Sequence, residues 1–240
     1  MQHSEGEQHR RASKRKRIDI CYLCGERLTK PRSMDHVPPR CFFPSLVMEE
    51  LKPDRLWTLP THVACNNAYK NDEEYFIETM RLRVRNSWAG GALQIDFMDR
   101  LSKRDESKRL FGKTYRELRW QPFATSSASG TDLVGIDHDE ARITRVFWKI
   151  VRGLFLREHG RRLPEEATKS FVWLFSAEEL PEEKWPWWKA ASGAGSYPYP
   201  MVFDYRFQLG KDTETGDEVW ALRLWDNLIW LVGFPAPTSE

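Results

Sequence analysis

Two residue pairs with one shared spacing constrain this chain more than anything else in it. Cys21 and Cys24 stand three apart in "CYLCGER", and His62 and Cys65 repeat the interval in "THVAC". Residues three apart in a tight turn or a first helical turn both reach one ion. Two such pairs supply the four tetrahedral nitrogen and sulfur ligands that a structural Zn²⁺ takes. The spacing therefore predicts a quartet of Cys21, Cys24, His62 and Cys65. The alternative is four unconnected buried residues, since a free cysteine also packs as a small apolar group. Cys41, next to "FF", is the spare: it reads as packed, and replacement of His62 as fourth ligand is its other reading.

Composition sets the frame around this clip. At 240 residues, 40% hydrophobic and 13% aromatic, the chain has ample apolar material for a folded core of one large or two small domains. No apolar run is long enough to span a bilayer, and the first seventeen residues hold charge where a secretory leader is apolar. A cytoplasmic protein with no membrane partner is expected. Four cysteines in that compartment indicate metal or redox chemistry rather than a disulfide frame. The net charge of +2 conceals an uneven distribution. Residues 1–17 carry six Arg or Lys against Glu5 and Glu7, which leaves 31 basic and 33 acidic residues, a net −2, for the other 223. "RRASKRKR" has no apolar periodicity and reads as a disordered basic tail, either an arm that reaches phosphates or a solubilising or targeting segment.

Apolar spacing gives the coarse elements. Phe76, Met80 and Val84 recur every four residues in "EEYFIETMRLRVRNSW", as on a helix face. Residues 81–119 form a second basic concentration, with eleven Arg or Lys and five acids. "TSSASGTD" at 125–132 reads as a loop or linker. Ile143, Val146, Phe147, Ile150, Val151, Leu154 and Phe155 follow three- and four-residue spacing and predict a long helix over about 139–159, with Gly160 as its stop. "MVFDYRFQL" alternates Met201, Phe203, Tyr205, Phe207 and Leu209, and with "EVWALRLW" and "NLIWLVGF" predicts an antiparallel meander over about 201–234. Trp185, Trp187 and Trp188 in "KWPWWK" read as core or a partner surface rather than as stacking platforms for bases. His138 and His159 read as structural or surface residues.

Between the halves of the quartet lies "SMDHVPPR", and directly after its last cysteine comes "NNAYK". A CxxC, an Asp-His pair, then a second metal-binding pair followed at once by Asn and a nearby Lys resembles the HNH endonucleases, whose ββα-metal finger cleaves nucleic acid. The likeness covers roughly residues 18–76. It implies His36 as the general base, a role that suits an imidazole whose unperturbed pKa lies near neutrality. It also implies Asp35 as an oxygen ligand of a catalytic Mg²⁺ or Mn²⁺. Asn66 stands where the family places its final His, making this the Asn-ended variant, with the amide oxygen on the same ion. Lys70, four residues on and on the same helix face, and Arg40 are the implied phosphate contacts. Asp72, Glu73 and Glu74 open the following helix and read as favouring its dipole.

The family's middle Asn, which orients the base, has no counterpart in "PDRLWTLPTH", where only Asp54 and Arg55 are available. Adjacent strand residues also point opposite ways, so Asp35 and His36 share a site only if the strand ends or distorts there. The combined expectation is an α+β chain. It has a basic tail at 1–17, a zinc-stabilised HNH-like finger at 18–87, and an accessory region at 88–240 with a helical middle and a β-rich end. The implied function is metal-dependent hydrolysis of phosphodiester bonds, in DNA before RNA, with a protein partner for the C-terminal region. The alternatives are a zinc-knuckle nucleic-acid-binding module without catalysis, and a structural zinc clip in a protein-interaction domain.

Overall fold

A computed structural model describes residues 19–51, 56–84, 87–103, 105, 108, 109, 111, 112, 116, 119–123, 133–170, 172–176, 193–195, 201–208 and 217–235. The tail at 1–17, the "TSSASGTD" stretch, Asp54, Arg55 and the tryptophans of "KWPWWK" lie outside these residues.

The N-terminal part is a strand pair with a helix behind it. β1 (Arg32–His36) pairs antiparallel with β2 (Thr58–His62), placing Asp35 opposite Leu59 and His36 opposite Thr58. Between them the chain makes a 3-10 turn at Arg40–Phe42, with Pro39 before it, and α1 (Ser45–Leu51). β2 runs without a loop into α2 (Val63–Asn67), and α3 (Lys70–Met80) follows. α3 ends short of the periodic pattern, yet Phe76, Met80 and Val84 are all buried, so the apolar spacing outlasts the helix that carries it.

α4 (Trp88–Lys103) and a hairpin of β3 (Arg119–Phe123) and β4 (Leu133–Asp137) come next. α5 (Glu140–His159) is the long helix that the spacing predicts. Asp139 caps its start by accepting from the Arg142 N–H, and Gly160 ends it at φ 67°, a left-handed conformation that costs glycine little. The chain closes in a five-stranded antiparallel sheet of β5 (Val172–Ser176), β6 (Gly193–Gly195), β7 (Phe203–Gln208), β8 (Asp217–Leu224) and β9 (Leu228–Pro235), in the order β5-β9-β8-β7-β6. β7, β8 and β9 are the expected meander, and β5 and β6 extend it on either side. The fold is therefore mixed helix and antiparallel sheet.

α5 packs against both the strand-pair end and this sheet. Its apolar stripe is buried, with Phe147 stacked on Trp230 at 5.0 Å between ring centroids. From the other side, Phe42 and Phe76 stack on each other at 5.0 Å, Phe76 reaches Trp230 at 5.8 Å, and the Trp225 indole N–H donates to the Phe42 carbonyl at 2.8 Å. One apolar cluster thus runs from Cys21 to Phe234, across residue 87. His159 is structural, bonded to Glu218 at 2.7 Å among Phe155, Phe207 and Trp220. Part of the second basic concentration is structural too: Arg81 is buried, pairs with Glu78 at 3.0 Å and lies over the Phe97 ring. Among the described residues no helix is long and apolar enough to cross a membrane.

Candidate metal centre and adjoining cavity

The two residue pairs with shared spacing come together in space. Gly25, at φ 81°, lets the chain double back, so that its N–H donates to the Cys21 carbonyl while the Cys21 N–H donates to Glu26. This knuckle aims Cys21 and Cys24 the same way. His62 is the residue before α2 and Cys65 lies in its first turn, which brings that pair to one side. The ligand atoms of Cys21, Cys24, His62 and Cys65 lie within 4.8 Å of one another, and Cys41 is outside the group. His62 Nδ1 is 3.5 Å from the Cys24 sulfur and 3.8 Å from that of Cys65. His62 Nε2 lies 3.1 Å from the Arg27 carbonyl, to which it donates when Nδ1 carries the lone pair toward the sulfurs, the usual support of a metal-bound histidine.

Two of the thiols are shifted in opposite directions. Burial, and then the neighbouring Cys24 and Cys21, push the Cys65 thiol up to about 12. For Cys21 burial acts upward, but hydrogen bonds from the Thr61 hydroxyl and nearby backbone groups outweigh it and lower the thiol to about 6. The donor set is three sulfurs and one imidazole, and it can hold a metal such as zinc.

Beside this clip lies a cavity of about 280 Å³, and Asp35, His36, Arg40, Asn66 and Lys70 all line it, with Glu73 and Glu74. β1 ends at His36, so the strand alternation that would separate Asp35 from His36 stops where both are needed. His36 is half-buried, and its imidazole pKa is lowered from 6.5 by burial first, then by the Arg40 guanidinium, against an opposing pull from Asp35. It is therefore neutral near pH 7. Asn66 donates its amide N–H to the Ser33 hydroxyl at 3.3 Å. Arg40 and Lys70 are exposed at the rim.

Asp35 is held by groups that the sequence did not single out. It is 5% exposed, and the Tyr22 hydroxyl donates to its Oδ2 at 2.6 Å. Lys149 of α5, fully buried, lies 3.0 Å from Oδ1 and 2.8 Å from Oδ2, and also pairs with Glu73. Burial raises the Glu73 carboxyl, and Lys149 opposes that rise. Arg142 and Arg145 of the same helix pair with Asp72, and Arg152 reaches the Tyr69 hydroxyl. Asp72 and Glu73 thus serve as ion-pair partners of α5 as well as opening α3. A signal for this exists in the sequence: Arg142, Arg145, Lys149 and Arg152 fall at helical spacing and form one cationic stripe.

The catalytic Mg²⁺ or Mn²⁺ implied for Asp35 and Asn66 finds a poor fit in this arrangement. Both Asp35 oxygens are engaged, Glu73 shares their ammonium, and a divalent ion on them would sit against a buried positive charge. Among the described residues the Cys21–Cys65 group is the one cluster of three or more His, Cys, Asp or Glu with ligand atoms drawn that close. A larger open cleft of about 560 Å³ lies along α5 by Arg145, Trp148 and Arg152, but its two arginines are already paired, with Asp72 and Glu165. Comparison with family models, with curated proteins and with solved structures finds no match for this chain.

Proposed function

We propose that the protein is an HNH-like endonuclease that hydrolyses phosphodiester bonds in nucleic acid, DNA before RNA, with His36 as general base. One observation carries the reading: a half-buried His36 opens into the same cavity as Asn66, Lys70 and Arg40, at the end of a strand pair that adjoins a Cys3His cluster. A zinc held by Cys21, Cys24, His62 and Cys65 would fix the frame by tying β2 and α2 to the knuckle. His36 takes a proton from water, the resulting oxygen bonds to phosphorus, and the bond from phosphorus to one ester oxygen breaks. That oxygen leaves and is protonated from solvent. Arg40 and Lys70 face the phosphate charge as it grows. Cytoplasmic placement and a protein partner for residues 88–240 go with this reading as proposals.

A second reading, a zinc knuckle that binds nucleic acid without cutting it, is favoured by one detail. Among the described residues no hydrogen bond orients the His36 ring. Incubation with plasmid, single-stranded DNA and RNA, in Mg²⁺, Mn²⁺ or EDTA, separates the two. Cleavage that falls about 10²–10⁴-fold in His36→Ala, with affinity for the nucleic acid retained, supports the nuclease. Binding of all three without cleavage in any condition supports the knuckle.

A further inference from the structure

The chemistry around Asp35 asks for a cation, and the fold supplies one. Lys149 points from α5 into the space between β1 and α3, is fully buried, and meets both oxygens of Asp35 and one of Glu73. The Tyr69 ring centroid is 5.3 Å from the same nitrogen. An ammonium has three protons to give, and two carboxylates beside an aromatic face use that capacity. We propose that Lys149 is the resident cation of the Asp35–Glu73 pair, a positioning residue delivered by α5 into the place a divalent ion would take, so that phosphate-facing charge comes from Arg40 and Lys70.

This rests on reading the cavity as the active site, but its physical basis is independent of cleavage. A free divalent ion has to displace an ammonium tethered to a packed helix, and tethering makes the local concentration of the competitor very high. It would also bring a double charge against a single one in a region of low dielectric, if the ammonium did not leave. α5 cannot easily withdraw: Val146, Ile150 and Leu154 on either side of Lys149 are buried. Through Asp35, Lys149 fixes the floor of the cavity beside His36. The residues after 88 thereby support two residues of the cavity lining, Asp35 and Glu73, from behind.

The test is metal binding by zinc-loaded protein, read by Mn²⁺ electron paramagnetic resonance and by thermal shift. Wild type should show no Mn²⁺ site that depends on Asp35, so that Asp35→Asn leaves its Mn²⁺ titration unchanged. Lys149→Met, which keeps most of the apolar stem and removes the charged end, should gain one Mn²⁺ site, tighter than anything in wild type by at least about tenfold. That site should raise its melting temperature and vanish in Lys149→Met/Asp35→Asn. Lys149→Arg should behave as wild type. If wild type binds one Mn²⁺ that Asp35→Asn abolishes, the proposal is overturned, and this arm needs no lysine variant to fold. A folded Lys149→Met that gains no Mn²⁺ site overturns it as well. Failure of the nuclease reading would appear separately, as absent cleavage with the Mn²⁺ results intact.

Discussion

Gly153→Ala is a substitution that two structural effects pull in opposite directions. Gly153 is buried in the interior of α5, where alanine gains about 1 kcal/mol of helix propensity over glycine. A methyl group there would, however, come 2.7 Å from each of the two γ-methyls of Val37 and 3.2 Å from its β-carbon. Val37 is 2% exposed and is the residue after His36, so neither methyl can turn away into solvent. Such overpacking costs about 1–3 kcal/mol. With the propensity gain subtracted, the expected result is a destabilisation of about 1 kcal/mol. Urea unfolding should show a lower midpoint at an unchanged slope. Val37→Ala removes both methyls, so it should cost less in the Gly153→Ala background than in wild type, with a coupling above about 0.5 kcal/mol. A Gly153→Ala protein more stable than wild type by the full propensity gain would refute the close approach of α5 to the loop behind His36.

The other expectations concern the metal and the base. Purified protein should contain about one tightly held zinc per chain, and Cys24→Ser or Cys65→Ser should lose it together with folded signal in circular dichroism, because the binding energy of a structural zinc is folding energy. Metal-free protein that melts like wild type would remove the clip. Under the proposed function His36 would act only unprotonated, and burial and Arg40 lower its pKa in the folded protein. The acid limb of kcat/KM should therefore have its midpoint below 6.5, with activity lost as pH falls through it. Removing the second cause of that shift, in Arg40→Ala, should move the midpoint upward even though KM also rises. A limb that stays fixed would separate the two residues.

What the sequence disclosed, and what it withheld, follows from the range of the interactions. The clip was legible because each half is a local i, i+3 pair, and α5 was legible because seven apolar side chains repeat at one period and a glycine ends them. The meander was legible from alternation, although β5 and β6 were not: β5 pairs with the distant β9, Val172 opposite Val232, and β6 is a short Gly-Ala-Gly segment with no apolar alternation to read. His36, Asn66, Lys70 and Arg40 meet in one cavity, although Asn66 and Lys70 stand on two consecutive helices, α2 and α3, rather than on one face of a single helix. The cationic stripe of α5 is visible in the sequence, but nothing local marks Lys149 as its buried member, because its partner Asp35 is 114 residues away. The expected place of Asp35 on a divalent ion comes from a resemblance confined to roughly residues 18–76, which leaves out the helix whose Lys149 meets it.

The hydrogen bond from Trp225 to the Phe42 carbonyl spans 183 residues, and it sets an order on the birth of the molecule. At about 5–20 residues per second of synthesis, Phe42 leaves the ribosome roughly 10–40 s before Trp225 follows. Lys149 also comes well after Asp35. Until α5 emerges the first strand pair lacks the cation for its acids, and until the sheet follows it lacks Trp225 and Trp230, so its apolar surface is open to misassociation. The four ligands from Cys21 to Cys65, by contrast, all emerge early and close a short loop. Capture of a metal at that moment would give the nascent chain a fixed knuckle on which the late-arriving sheet can settle, and would make metal supply during translation, rather than afterwards, the step that governs yield.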